Sequence, residues 1–170
     1  MVRLWIAAAV AVLAAAPAVA EEFDPAKVDA GRAIYQTTGA NCEMCHEWTG
    51  TGRNPNGRYS EVMAGGPSLV MSTMDRAAMI EIVSCGKMVG WGVMPQYRND
   101  AWTPALRCWG KVAADRAPGE APETGPVGLA AAQVEAVVTY VRAVYQGQRM
   151  TLANCQKYFG DKSKACDLYR

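Results

Sequence analysis

The only histidine of the chain stands directly after a pair of cysteines. Cys42-Glu43-Met44-Cys45-His46 has the spacing C-x-x-C-H, which is the signature of covalent c-type haem attachment. The two thiols would add across the two vinyl groups of the haem, and the imidazole of His46 would bind the iron as the proximal ligand. The chain would then have to fold around a planar cofactor.

Two other uses of this cysteine pair remain open. A structural zinc site would need two further ligands, usually in a second C-x-x-C or H-x-H pair, and the other four cysteines do not have that spacing. A redox dithiol of the thioredoxin type would need a βαβ context, and the sequence predicts none. Haem attachment is the interpretation that explains the position of the single histidine.

Residues 1–20 have the pattern of a secretory signal peptide. Arg3 provides the positive charge, residues 4–16 are apolar, and Ala18-Val19-Ala20 is a small-x-small cleavage site. The apolar run would rise only about 20 Å as a helix, short of the roughly 30 Å core of a membrane. We therefore predict export to the periplasm, cleavage after Ala20 and no membrane anchor in the mature chain.

Hydrophobic periodicity predicts three main helices and no long strand. The first begins at Asp24-Pro25, with Asp as the N-cap and Pro in the first helical position. The second spans residues 73–84, and the third spans residues 129–145, where valines recur at i, i+3, i+4 and i+7. Residues 47–66 and 117–128 are predicted loops. Three helices make a thin core, which suggests that something else fills the middle.

The second axial ligand of the iron cannot be another histidine. Methionine is the natural thioether donor, and it raises the reduction potential of the iron. Met94 is the first candidate because it precedes a proline in an irregular segment, Met88 is the second, and an open sixth position is the remaining alternative. The carbonyl of Pro67 is a candidate acceptor for the second ring nitrogen of His46, although Gly-Pro also simply turns a chain.

Four cysteines lie outside the motif and allow three pairings. Pairing of nearest neighbours gives Cys85–Cys108 and Cys155–Cys166, and an oxidising compartment would preserve both. We expect the first bridge to hinder Met94 from leaving the iron and the second to tie down the C-terminal segment. Aromatic residues crowd the region around Met94, either as packing or as an apolar rim for a redox partner. They are Trp91, Tyr97, Trp102 and Trp109.

Together these features resemble the class I c-type cytochromes over about residues 25–147. The residues that carry the resemblance are Gly31, Tyr35, the C-x-x-C-H motif, Gly66-Pro67-x-Leu69, Met94-Pro95 and Tyr140. The resemblance implies an all-α class I cytochrome c fold, with three main helices and long loops around one covalent haem c. It implies a cytochrome domain at 21–147 and a C-terminal tail at 148–170.

Three shorter segments and the C-terminal cysteine pair resemble periplasmic monohaem cytochromes that accompany quinoprotein (PQQ-dependent) alcohol dehydrogenases. The segments are Cys85-Gly86-Lys87, Met94-Pro95-x-Tyr97 and Arg107-Cys108-Trp109-Gly110. This resemblance implies a one-electron carrier rather than an enzyme, with His46 and Met94 on the iron. A quinoprotein dehydrogenase would be the donor, and an oxidase or another cytochrome the acceptor. The alternatives are a haem subunit of a larger dehydrogenase complex and an open-iron sensor or peroxidase-like enzyme. The absence of a second histidine for acid–base work counts against the sensor or enzyme.

The charge balance bears on the class of partner. Lys+Arg 17 and Asp+Glu 16 give a net charge of +1 at pH 7. A nucleic-acid partner is not expected, because its phosphates require a basic face. The lysine-rich docking ring that is usual among class I cytochromes is not evident either, so we do not expect strongly electrostatic docking.

Overall fold

The computed structural model describes residues 21–52, 65–89, 92–120 and 122–170. The predicted signal peptide at 1–20, the middle of the predicted loop at 47–66, and Trp91 lie outside the described residues. Within the described ranges the protein is helical, with one short hairpin between the second and third of the predicted helices. No helix in these ranges is long and apolar enough to cross a lipid bilayer.

Five α-helices and two strands make up most of the regular structure in the described ranges. The helices are α1 (Pro25–Gln36), α2 (Cys42–His46), α3 (Arg76–Cys85), α4 (Ala131–Val144) and α5 (Leu152–Phe159). The strands β1 (Lys87–Val89) and β2 (Gly92–Met94) pair antiparallel, with Lys87 opposite Met94. Short 3-10 helices at Ala113–Asp115 and Lys164–Tyr169 complete the list.

Helices are present at the three predicted positions, with shifted bounds. α1 begins as predicted, and the Asp24 carboxylate accepts a hydrogen bond from the Ala26 amide at 2.9 Å. α3 begins at residue 76 rather than 73, because the carboxylate of Asp75 caps the helix by accepting from the Ala78 amide at 2.8 Å. α4 is shorter than predicted at both ends.

The hairpin and α5 were not predicted by the sequence pattern. Each strand has only three residues, which is too short for an alternating pattern to be recognised. α5 has eight residues and lies in the segment interpreted as a tail. β2 nevertheless lines the site described below, and α5 contacts the helix that carries the C-x-x-C-H motif.

The crossing of α1 and α4 is set by Gly31. A Cβ at this position would lie 2.6 Å from the carbonyl carbon of Ala136 and 2.7 Å from the Cβ of Tyr140, so any larger residue would push the helices apart. Tyr35 and Tyr140 pack beside the crossing with ring centroids 5.4 Å apart. The crossing thus brings an early and a late helix of the chain into one core.

The C-terminal segment is part of this core. Cys155 and Cys166 form a disulfide and are fully buried. Tyr158 of α5 is also buried, and its hydroxyl donates a hydrogen bond to the carboxylate of Glu43 in α2 at 2.7 Å. The segment 148–170 therefore packs directly against the helix that carries the C-x-x-C-H motif.

Candidate functional site

An apolar cavity of about 500 Å³ lies within the described structure. Its volume falls within the roughly 300–1,000 Å³ of typical small-molecule and cofactor sites. Residues from α1, α2, α3, β2 and α4 line it, together with the segment that follows residue 66. Most of the wall is apolar, and its branched aliphatic residues are Leu69, Ile82, Val83, Leu129, Val137, Val138 and Val141. The space therefore suits a large, mainly apolar group.

The structure brings four of the five predicted site residues to this cavity. Cys42, His46, Pro67 and Met94 all belong to its lining. Cys45 is not among the lining residues, but it follows Cys42 by three positions on α2, so the two thiols lie on one side of that helix. Neither cysteine takes part in a disulfide.

His46 is buried and held in one orientation. Its Nδ1 lies 2.9 Å from the carbonyl oxygen of Pro67. A carbonyl oxygen only accepts hydrogen bonds, so Nδ1 carries the proton and the lone pair of the ring is on Nε2. Burial lowers the pKa of His46, and the carbonyl of Pro67 partly opposes this effect. The neutral imidazole that results is the form that binds metals.

The structure distinguishes between the methionines. Met94 ends β2, is partly buried and lines the cavity. Met88, the second candidate, is 46% exposed and outside the lining. Met71, Met74 and Met79 also line the cavity, which the sequence did not indicate. Of the two predicted candidates, only Met94 reaches the cavity.

The residues present fit a haem group. Thiols for covalent attachment, a neutral imidazole and a thioether are groups that hold haem in proteins, and the aliphatic wall suits the porphyrin. A zinc site would instead need a cluster of ligands. Among the described residues, no group of three or more His, Cys, Asp or Glu side chains could hold a metal ion.

Residues 26–109 match a family model described as cytochrome c oxidase, cbb3-type, subunit III. This range contains the C-x-x-C-H motif, Pro67 and Met94. The matched residues form a c-type cytochrome domain. This domain makes the chain a haem-based electron-transfer protein with covalently bound haem c. No curated protein and no solved structure matched the chain.

Three buried tyrosines hold both ends of α2, the helix that carries the C-x-x-C-H motif. Tyr97 donates a hydrogen bond to the carbonyl of Ala40 at 2.5 Å, just before α2. Tyr35 and Tyr145 donate to the carbonyls of Glu47 and Trp48, just after α2, at 2.7 and 2.8 Å. Since α2 has only five residues and no side-chain cap, these contacts fix its position.

The sequence did not indicate these roles, because the partners are main-chain carbonyls far along the chain. Burial raises the pKa of all three tyrosines, so that each hydroxyl keeps the proton it donates. The only signal was the position of Tyr35 on the apolar face of α1. That signal predicts burial and does not reveal the acceptor.

The Cys85–Cys108 disulfide lies next to the cavity wall. Cys85 is the last residue of α3, two residues after Val83 in the lining. Both cysteines are fully buried, in a small cluster with Ala101 and Trp102. The disulfide therefore connects the end of α3 to the segment that follows the hairpin.

Proposed function

We propose that the chain is an exported monohaem cytochrome c that carries one electron at a time between redox proteins of the periplasm. One haem c would be attached through Cys42 and Cys45, within the class I arrangement of three main helices. When bound, the haem supplies the one-electron chemistry, because its iron can be ferrous or ferric. The observation that carries the proposal is that one apolar cavity collects Cys42, His46 and Met94.

His46 and Met94 are the proposed axial ligands. His46 would bind through Nε2, while the carbonyl of Pro67 keeps the ring from turning. Met94 would bind through its sulfur, presented from the end of β2. With both axial positions filled, no position is left for a substrate, and this favours electron transfer over catalysis.

The wall of the cavity would affect the reduction potential. Its aliphatic side chains exclude water, and a low-dielectric environment disfavours the extra positive charge of ferric iron. A thioether ligand acts in the same direction. Both effects favour the ferrous state, which suits a protein that accepts electrons from a dehydrogenase.

Export through a signal peptide at 1–20, with cleavage after Ala20, is part of the proposal. In an oxidising compartment the disulfides Cys85–Cys108 and Cys155–Cys166 persist. The proposed donor is a quinoprotein dehydrogenase, and the acceptor is an oxidase or another cytochrome. The haem-binding part then ends near residue 147, and the C-terminal segment stabilises it by packing into the same core.

Optical spectroscopy of the exported protein tests the central claim. We expect a c-type spectrum, a pyridine haemochrome that gives one haem per chain, and a methionine–Fe(III) charge-transfer band. We also expect no binding of carbon monoxide to the ferrous protein. Covalent haem without that band, together with ready carbon monoxide binding, would refute Met94 as a ligand and favour a sensor or an enzyme.

A second candidate function is that of a haem subunit within a larger redox complex. The matched family is named for an oxidase subunit, and two apolar side chains among the described residues are strongly exposed: Met71 at 77% and Leu168 at 91%. Gel filtration of the protein from its native periplasm distinguishes the two functions. A free carrier elutes at the size of the single chain, whereas a subunit elutes with its partner.

A further inference from the structure

We infer that the Cys85–Cys108 disulfide and the side chain of Trp109 form a clamp that holds the Met94 hairpin and keeps the sixth position of the iron closed to outside ligands. The inference rests on the proposed function, since it takes Met94 as the sixth ligand. Cys85, Cys108 and Trp109 are then positioning residues, and none of them lines the cavity.

The hairpin needs support from outside. Its two strands have three residues each, and an isolated two-stranded hairpin is at best marginally stable in water. Its support comes from the last turn of α3. The amides of Tyr97 and Arg98, just after the hairpin, donate to the carbonyls of Val83 and Ser84 at 3.1 Å each.

Gly86 couples α3 to the main chain of Met94. This residue caps α3 with φ +65° and directly precedes β1. A Cβ on Gly86 would lie 2.5 Å from the carbonyl oxygen of Met94 and 2.6 Å from the amide nitrogen of Gln96. The two segments are therefore in direct main-chain contact, and a displacement of Gly86 displaces Met94.

The clamp acts on the residues around Gly86. Cys108 forms a disulfide with Cys85, the residue that precedes Gly86. The indole Nε1 of Trp109 donates to the carbonyl of Gly86 at 3.2 Å, and the Trp109 amide donates to the Glu81 carboxylate at 2.8 Å. The ammonium of Lys87 lies 5.1 Å from the centroid of the indole ring. Residues 108 and 109 thus hold three consecutive positions at the start of the hairpin.

This arrangement makes ligand affinity a measure of the clamp. With Met94 as the sixth ligand, an outside ligand would reach the ferric iron only when the hairpin is displaced, so its apparent affinity would be proportional to the fraction of protein with the hairpin displaced. Removing part of the clamp raises that fraction. A readout of affinity therefore detects the clamp even where the closed structure looks unchanged.

The test is imidazole titration of three ferric holoprotein variants beside the wild type. Trp109→Phe keeps an aromatic ring and the disulfide but loses the hydrogen bond to Gly86, and the loss of one such bond corresponds to an affinity gain of about fivefold. Cys85→Ala/Cys108→Ala should bind imidazole more than about tenfold tighter, because the whole link is lost. The control Cys155→Ala/Cys166→Ala removes a disulfide that does not touch the hairpin, and its affinity should stay within about twofold.

The outcomes separate the inference from the proposed function. A wild-type protein without the methionine charge-transfer band refutes Met94 ligation and the clamp with it. A wild-type protein with the band, whose affinity is unchanged in both clamp variants, refutes the clamp alone. An equal gain in the control variant also refutes it, because loss of any disulfide would then loosen Met94. Faster amide exchange of residues 87–94 in Trp109→Phe, at unchanged global stability, supports it.

Discussion

Replacement of Gly31 by alanine sets two opposite effects against each other. Glycine inside a helix is about 1 kcal/mol less favourable than alanine, so helix propensity alone predicts that Gly31→Ala stabilises the protein. The structure predicts the opposite sign. The new Cβ would lie 2.6 Å from the carbonyl carbon of Ala136 and 2.7 Å from the Cβ of Tyr140.

The size of the loss follows from these distances. Ordinary carbon–carbon contacts are about 3.5–4.0 Å, so α1 and α4 must separate by roughly 1 Å. Overpacking of this kind costs about 1–3 kcal/mol, and here main chain rather than a flexible side chain has to move, so we take the upper end. After the gain in propensity, the net loss is about 2 kcal/mol, or roughly 6 °C in Tm for a chain of this size.

Chemical denaturation of the holoprotein, followed by the haem absorbance, measures this loss. The control is Ala30→Gly on the exposed side of the same helix, which should cost about 1 kcal/mol by propensity alone. If Gly31→Ala is as stable as the wild type or more stable, the helix crossing described above is wrong.

Three further predictions concern the site and its support. Met94→Ala should abolish the methionine charge-transfer band and let carbon monoxide bind the iron, whereas Met88→Ala should keep the band and bind no carbon monoxide. The reverse result would make Met88 the ligand instead of Met94. Tyr158→Phe should lower the free energy of unfolding by about 1–2 kcal/mol, because it leaves the partly buried Glu43 without its bond, and Tyr169→Phe serves as a control in chemical denaturation. Burial raises the pKa of Tyr140 to about 12, above the usual value near 10, so the folded state keeps a proton that the unfolded state loses. The stability that the protonated Tyr140 contributes should therefore be fully present below pH 10 and fall between pH 10 and 12. If the phenolate absorbance of the folded protein instead rises completely near pH 10, Tyr140 is not buried as described.

Local signals predicted the parts of this protein that depend on neighbouring residues. The start of α1 follows from Asp24-Pro25, and the haem motif follows from three residues at fixed spacing. The three predicted helices occur because each has an apolar face long enough to be recognised. The start of α3 was displaced to residue 76, since Asp75 is a stronger N-cap than the residues before it.

Long-range contacts could not be predicted in this way. The bond from Tyr97 to the carbonyl of Ala40 spans 57 residues, and the bond from Tyr158 to Glu43 spans 115. Neither has a sequence signature, because one acceptor is a main-chain atom and the other is a surface-type carboxylate. The hairpin was not predicted for a different reason, because tertiary contacts rather than strand propensity stabilise it.

The contacts of α1 with α4 and of α2 with α5 have a consequence for the order of maturation. If the chain is exported from its N-terminus as proposed, the C-x-x-C-H motif emerges well before Tyr140 and Tyr158, which pack around it in the folded protein. The enclosure of the motif therefore cannot be completed until nearly the whole chain has emerged. During that interval the two thiols would remain accessible for the proposed haem attachment, and the late arrival of α5 would end that period.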